Sequence, residues 1–445
     1  MPKRRKRDLL IKGFSKLLKE DKLKIVSELM DKQLESMDLM KSFWHSDQRV
    51  QKIFDEFSEN TISNFYIPYG VAPNVVINGR NYLVPLVIEE SSVVAAASSS
   101  ARFWSEHGGF KAEVLGVTKI GQVHFTWKGD FKKLSGLFDE LKEGFRDATR
   151  HITANMIRRG GGIIDFELED KRDLLDNYYQ IMVKFDTADS MGANFINSCL
   201  EEFAVELKNF FANHPSFIGE EKECQVIMSI LSNYTPECLV RVWVECDFSE
   251  LENLDDELSG EQFAHKFEKA VRIAELDEYR ATTHNKGIFN GIDAVVIATG
   301  NDFRAIEAAG HTYASRSGKY KSLSFVDLDG TRFKFTLEVP LALGTVGGLT
   351  SLHPLAKHSI ELLGNPSAKE LMMIAAAVGL ANNFAAVRSL VTKGIQIGHM
   401  KMHLMNILNH FEATDQEKKK AEEYFMGHKV SFANVSEFIT KLREK

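Results

Sequence analysis

The alternation of apolar and polar positions changes period several times along the chain. Over residues 8–45, Leu9, Leu10, Phe14, Leu17, Leu18, Ile25, Leu29 and Met30 recur at roughly helical spacing. That predicts short amphipathic helices, with Asp21 as an N-cap. Asn74–Ile77 and Tyr82–Ile88 are strand-like, and Asn78-Gly79 between them signals a hairpin. The second run ends in Glu89-Glu90-Ser91-Ser92 and passes into Val93–Ser98, a helix of small residues that admits a close neighbour. A carboxylate at such a junction faces unpaired helix N–H groups, so capping by Glu90 or Ser92 is the local expectation.

Residues 112–232 read as a separate unit. Strands are predicted at 112–118, 121–127, 163–168, 178–185 and 224–231, and helices at 134–157 and 190–213. This order does not alternate in the doubly wound manner. It predicts a split, mostly antiparallel sheet with helices on one face. Gly160-Gly161-Gly162 follows Arg158-Arg159, and Asp189-Ser190-Met191-Gly192-Ala193-Asn194 opens the second helix. One can be a C-cap and the other an N-cap; both also offer backbone N–H groups suited to phosphate. No GxGxxG follows a strand, which excludes a Rossmann nucleotide site.

Residues 233–281 return to a helical pattern through Phe263, Phe267 and Val271. In the stretch Thr282–Arg304, Ile288, Ile292, Val295, Val296 and Thr299 keep helical spacing, with Lys286 at one end and Asp302 at the other. An unbroken helix would part those two Cα atoms by roughly 24 Å. Either the chain turns back at Gly291 or Gly300, or the two groups serve one site from different subunits; a symmetric dimer favours the second. A long apolar helix is predicted over 366–392, interrupted at Gly379. Gly394 and Gly398 then flank the segment to His399, which suggests a hinge. The tail, 400–445, reads as two or three charged amphipathic helices with Phe432, Val435, Phe438, Ile439 and Leu442 on one face: a mobile lid, a docked pair, or both.

Length adds that 445 residues exceed one typical core, predicting two or three domains. A hydrophobic fraction of 44% with 26% charged residues is ordinary for a globular chain. The net charge of −7 argues against nucleic-acid binding. Only the first twelve residues are basic, and they read as a solvated terminus. No apolar run is read as reaching the ~18–20 residues that span a bilayer, so no membrane partner is expected. Cys199, Cys224, Cys238 and Cys246 show no metal spacing and no CxxC, as neutral thiols of a reducing cytoplasm would. No metal is expected.

Nine stretches together resemble the hydroxymethylglutaryl-coenzyme A reductases of the second, bacterial type. They are Glu59–Ile62, Ile88–Ser98, Gly160–Gly162, Asp189–Asn197, Tyr279–Asn290, Ala298–Arg304, Gly344–Gly348, Gly379–Asn383 and Gly394–His403. The resemblance implies an α+β protein. A large mixed α/β catalytic domain (1–111 and 233–393) would be interrupted by a small ferredoxin-like, split β-α-β nucleotide-binding domain (112–232). A helical C-terminal flap (394–445) would follow. It implies four catalytic groups, Glu90, Lys286, Asp302 and His399. Ser92, Asn233 and Arg280 would hold the hydroxymethylglutaryl part, Ala386 would line its pocket, and Glu59 and Asn60 would lie on the coenzyme A side. The dinucleotide signature falls on Asp189, Met191, Gly192 and Asn194. Implied too are mevalonate and free coenzyme A as products, and a cytoplasmic homodimer, or an oligomer of dimers, with active sites at the subunit interface.

The chemistry follows from these groups. Each hydride addition to the thioester places negative charge on the former carbonyl oxygen, which a poised cation, Lys286, stabilises. Two carboxyls beside a lysine couple in titration, so Glu90 can keep a proton to deliver and Asp302 can tune the network. His399 suits protonation of the departing thiolate. Two departures from the family pattern stand out. Ser91 replaces a proline beside Glu90. Thr153 occupies the position, seven residues before Gly160, where NADH-preferring members place an aspartate. With Arg158 and Arg159 nearby, this favours NADPH over NADH; those arginines can also serve only as helix C-caps. The competing readings are NAD-dependent degradation of mevalonate on the same scaffold and a non-catalytic acyl-coenzyme A binder.

Overall fold

The computed structural model describes residues 11–392 and 404–444. The chain divides into two units, Met1–Pro68 with Leu352–Pro354, and Tyr69–Ser351 with Leu355–Lys445. In the first, helices Lys19–Glu28, Gln33–Ser42 and Gln48–Glu56 form as the apolar spacing predicts. Asp21 is not the cap: it lies inside the first turn, where its charge favours the positive helix end, and Leu18 precedes the helix. Trp44 Nε1 donates to Ile62 O at 2.9 Å, and Lys19 pairs with Asp55 at 2.6 Å, closing the helices onto the Glu59–Ile62 segment.

In the second unit, β1 (Tyr69–Ile77) and β2 (Arg80–Val87) form the hairpin announced by Asn78-Gly79. Both turn residues take positive φ, 49° and 83°, the geometry that a tight primed turn requires. A four-stranded antiparallel sheet runs in the order β3 (Lys111–Val114), β8 (Leu239–Asp247), β10 (Arg332–Pro340), β9 (Ser324–Asp329). The helical pattern expected over 233–281 therefore starts late, because Leu239–Asp247 is a strand. The strand expected at 112–118 pairs with it and not with the neighbours expected for it. On β10, Phe333, Phe335, Leu337 and Val339 are buried at every second position, the period of a sheet with one face on a core.

The remaining strands form a second antiparallel sheet, β5 (Gly162–Asp170), β6 (Tyr178–Asp186), β4 (Lys119–Trp127), β7 (Cys224–Ser232). With its helices the chain order is β-α-β-β-α-β, the split arrangement. Val123, Phe125 and Trp127 alternate into a core with Phe145, Phe203 and Phe211 from the covering helices. The single helix expected at 134–157 is three segments, Phe131–Gly136, Phe138–Ala148 and Arg150–Arg158. Leu137 and Thr149 leave helical geometry with ψ near zero, and Thr149 Oγ1 turns back to bond Phe145 O at 2.8 Å. In the tail, Val435 and Ile439 pack with Leu404, Leu408 and Phe425, while Phe432 stays half exposed.

The central helix, Ala368–Val391, runs unbroken through Gly379. By length and composition it could cross a membrane, contrary to the expectation that no such run exists; 83% of its apolar window is buried inside the protein. Its main neighbour is the helix Glu278–Ala298, which bears Lys286. Glycines on both helices make the approach close. A Cβ at Gly291 would lie 2.5 Å from Val378 O, and one at Gly379 would lie 2.7 Å from Ile292 Cγ1. So both glycines are contacts and neither breaks its helix. Gly291→Ala is expected to destabilise the fold by about 1–3 kcal/mol despite the better helix propensity of alanine, because the clash is with backbone. Thermal unfolding checks this; a raised Tm would contradict it.

Candidate active site

Glu90 ends the segment after β2 in extended geometry and occupies the N-cap position of the helix Ser91–Glu106, yet its side chain makes no capping bond. The capping expected from the local pattern is replaced by two other contacts. Ser92 Oγ donates to one carboxylate oxygen, and the other lies 3.5 Å from Lys286 Nζ. The side chains are 39% and 64% exposed, so the pair faces solvent, where a ligand can reach it.

Lys286 stands on a helix that is fixed from below. Asn285 donates to Lys321 O at 2.9 Å and accepts from Leu323 N at 3.0 Å. His284 is buried, with Nε2 2.6 Å from Ser324 Oγ. Burial, and then the charge of Arg280, push its pKa down to about 3, so the ring is neutral. Arg280 lies one turn earlier. Its guanidinium is partly buried, which pushes its own pKa down, and among the described residues it has no acidic partner. A partly buried cation without an acid is a ready anion site. Farther along the same helix, burial and then Glu307 push the Asp293 carboxyl up, favouring its protonated form.

Asp302 caps the next helix, Phe303–Ala314, accepting from Arg304 N and Ala305 N at 3.1 and 3.3 Å while the Arg304 guanidinium clamps both its oxygens at 3.0 Å. Burial works to raise this carboxyl, but the guanidinium and the N–H of Ala305 outweigh it and hold it below the usual carboxylate range. The Lys286 helix continues through Gly291 to Ala298, so a reversal at Gly291 is excluded. The turn comes at Gly300, φ 70°, after twelve further residues, or about 18 Å of helix. Lys286 pairs with Glu90 and Asp302 with Arg304; the chain does not bring the lysine and the aspartate together.

Asn301 joins this corner to a second one. Its side chain bonds Gly344 N and O at 2.8 and 3.0 Å. The 344–346 loop in turn meets the Asp189–Asn194 segment: Thr345 N donates to Asp189 O at 2.8 Å and Ser190 bridges to Val346. The Asp189 carboxylate accepts from Ala368 N at 2.8 Å, so it straps this segment to the central helix. Gly192, φ 87°, precedes the helix Ala193–Asn213 with no side-chain cap, leaving its first amides, Asn194 among them, open to an anion. Met191 and Asn233 line one small cavity with Lys119 and Ala305, so expected nucleotide and acyl contacts meet there. Lys119 is buried against Thr187 Oγ1 and Ser190 O.

The Gly160–Gly162 turn offers less than expected. Gly160 N and Gly161 N are taken by Ile157 O and Met156 O at 2.9 and 3.0 Å, as a helix C-cap, and are not free for phosphate. Thr153 is buried with its hydroxyl on Thr149 O at 3.0 Å; Arg158 and Arg159 are exposed, Arg158 touching Asn155. Ala386 is half buried on the central helix, and Glu59 and Asn60 are exposed in the first unit. His399 lies outside the described residues. The sequence pattern does not mark two residues: His284, one polar residue within the polar run Thr282–Lys286, and Arg388, a cation in an apolar helix. The Arg388 guanidinium is pushed down by burial and bonds Ser99 Oγ at 3.3 Å. The four cysteines are free, and burial pushes the thiols up to between about 11 and 12.

Comparison with known proteins bears on this arrangement directly. The family model for hydroxymethylglutaryl-coenzyme A reductase matches residues 19–404. The 3-hydroxy-3-methylglutaryl-coenzyme A reductase of Archaeoglobus fulgidus is 36% identical over 440 residues, covering 97% of this chain and 94% of that one. A probable reductase of the same name from Borreliella burgdorferi is 34% identical over 384 residues, covering 85% and 84%. Among solved structures, the class II reductase of Streptococcus pneumoniae bound to NADPH in open conformations is 37% identical, with TM-score 0.69, covering 86% of this chain and all of that one. Another structure of the Streptococcus pneumoniae reductase covers 98% of this chain at 35% identity and TM-score 0.70. With such likeness along nearly its whole length, the chain belongs to the hydroxymethylglutaryl-coenzyme A reductase family, in its class II branch.

Proposed function

We propose that the protein reduces the hydroxymethylglutaryl-coenzyme A thioester to mevalonate and free coenzyme A, the step that feeds isoprenoid synthesis. The observation that carries the reading is the Glu90–Lys286 pair, 3.5 Å apart at a partly exposed site, in a chain of this family. Reduced nicotinamide, when bound, supplies hydride twice. Lys286 receives the negative charge that develops on the carbonyl oxygen at each addition, first toward a hemithioacetal and then from aldehyde to alcohol. Glu90, held by Ser92 and beside the lysine, delivers the proton. Arg280 pairs with the free carboxylate of the acyl group, Asn233 and Ser92 orient it, Ala386 lines the pocket, and Glu59 and Asn60 serve the coenzyme A side. His399 protonates the coenzyme A thiolate as it departs.

In this reading the unit expected at 112–232, whose sheet begins with Lys119–Trp127, is the nucleotide-binding domain set into a larger acyl-binding domain, and 394–445 are the flap. The uncapped helix end after Gly192 and the cavity shared by Met191 and Asn233 suit a dinucleotide whose reactive end must reach the acyl group. The active enzyme is a homodimer in the cytoplasm, each site built from two subunits. Adding hydroxymethylglutaryl-coenzyme A should consume two reduced nicotinamides per thioester, read as loss of absorbance; no consumption with either nicotinamide would reject the function. NADPH is the preferred donor. Thr153 places no carboxylate near a 2′-phosphate, Arg158 and Arg159 are exposed nearby, and a relative was solved with NADPH. The kcat/KM with NADPH should exceed that with NADH by about tenfold or more, the worth of one charge-assisted contact. A preference for NADH would reverse this assignment.

A further inference from the structure

We propose that His284 is a positioning residue that works through Arg280: its imidazole, held as the neutral Nε2–H tautomer, offers Nδ1 as the acceptor that steadies the guanidinium for the substrate's free carboxylate. This rests on the proposed role of Arg280.

The tautomer follows from hydrogen counting. Asn383 Nδ2 donates to His284 O at 3.4 Å, which turns Asn383 Oδ1 toward Ser324. Ser324 Oγ donates its one hydrogen to that oxygen at 2.8 Å. Ser322 Oγ gives its own hydrogen to Ser324 O at 2.7 Å. So the 2.6 Å contact between Ser324 Oγ and His284 Nε2 must carry the imidazole's proton, and Nδ1 is left as a bare acceptor. That atom is fully buried and has no hydrogen-bond partner. A buried acceptor in that state calls for a donor.

Arg280, whose charge acts on the ring, is the donor assigned to it. It precedes His284 by four residues on the same helix face, and helical side chains lean toward the N-terminus, so the ring overlies the turn that carries Arg280. The guanidinium has five N–H groups and no acidic partner among the described residues. The acceptor must be neutral for the site to work. A carboxylate would cancel the positive charge that the substrate needs, and an imidazolium would repel it. Burial and the neighbouring arginine together keep the ring uncharged. A bidentate carboxylate contact depends on the plane of the guanidinium, which a fixed lone pair on one edge sets.

The test is steady-state kinetics on the full-length enzyme with His284→Leu, His284→Gln, Arg280→Ala and the His284→Leu/Arg280→Ala double variant. His284→Leu should raise the KM for hydroxymethylglutaryl-coenzyme A about tenfold while kcat and the nicotinamide KM change less than about twofold, as loss of ground-state binding does. His284→Gln, whose amide can donate to Ser324 and accept from Arg280, should restore most of that KM. In the double variant the histidine change should add nothing to Arg280→Ala. Additive effects, a fall in kcat without a change in KM, or a glutamine variant as poor as leucine would overturn the proposal. If Arg280→Ala leaves KM unchanged while wild type turns over, the arginine assignment fails and this proposal with it, but the activity stands. Nitrogen-15 spectra of histidine-labelled wild type give a second reading that needs no leucine variant to fold. The resonance missing from His284→Gln should show the Nε2–H pattern, and an Nδ1–H pattern would overturn the proposal.

Discussion

Lys286→Ala is expected to lower kcat by about 10³-fold with little change in KM for either substrate. The lysine supplies a full positive charge where each hydride addition creates a negative one. Removing a single preorganised donor to such an oxyanion typically costs about 10²–10³ in kcat, and a charged donor lies at the upper end. The effect should fall on kcat because the carbonyl oxygen is neutral in the bound substrate and charged only as hydride arrives. Stability should hardly move. The side chain is 64% exposed, and its pairing with Glu90 is the partly solvated kind that contributes little to folding. Steady-state rates with a melting curve separate the two effects. Near-wild-type turnover would remove the lysine from the chemistry. A large drop in Tm would instead assign it a structural role.

Much of this placement is legible in the sequence. The apolar repeat from Ile288 to Thr299 gives the Lys286 helix, and Asn78-Gly79 gives the hairpin that leads to Glu90, because both rest on local periodicity and turn chemistry. What the period could not show is what each element packs against. Leu239–Asp247 is a strand because it lies between Lys111–Val114, 126 to 132 residues earlier, and Arg332–Pro340, 85 to 101 residues later. Gly291 reads as a break only while Val378 O is unknown; with that atom 2.5 Å from where a Cβ would stand, it reads as a contact. Thr153 is correctly seen as uncharged, yet only the fold shows its hydroxyl turned into its own helix. The orientation of His284 depends on Ser324 and Asn383, forty and ninety-nine residues away, and no local pattern carries it.

Mixing two dead enzymes is expected to restore activity, and the pattern of restoration identifies which residues share a subunit. Within one chain Glu90 meets Lys286, while Asp302 caps its own helix on Arg304, beyond about 18 Å of unbroken helix. If Asp302 completes the site of the neighbouring subunit, a dimer of one Lys286→Ala chain and one Asp302→Asn chain has one site missing both groups and one site intact. Random reassociation of equal amounts makes half the dimers mixed, each with one of its two sites whole, so about a quarter of wild-type activity should return. Glu90→Gln mixed with Asp302→Asn should do the same. Glu90→Gln mixed with Lys286→Ala should stay inactive, since Glu90 and Lys286 come from one chain and every site in that mixture lacks one of them. This last arm guards against the trivial explanation that mixing merely stabilises folded protein. If both aspartate mixtures stay inactive although subunit exchange is demonstrated, Asp302 acts within its own chain, and the Gly300 corner must then close toward Lys286 when substrate binds.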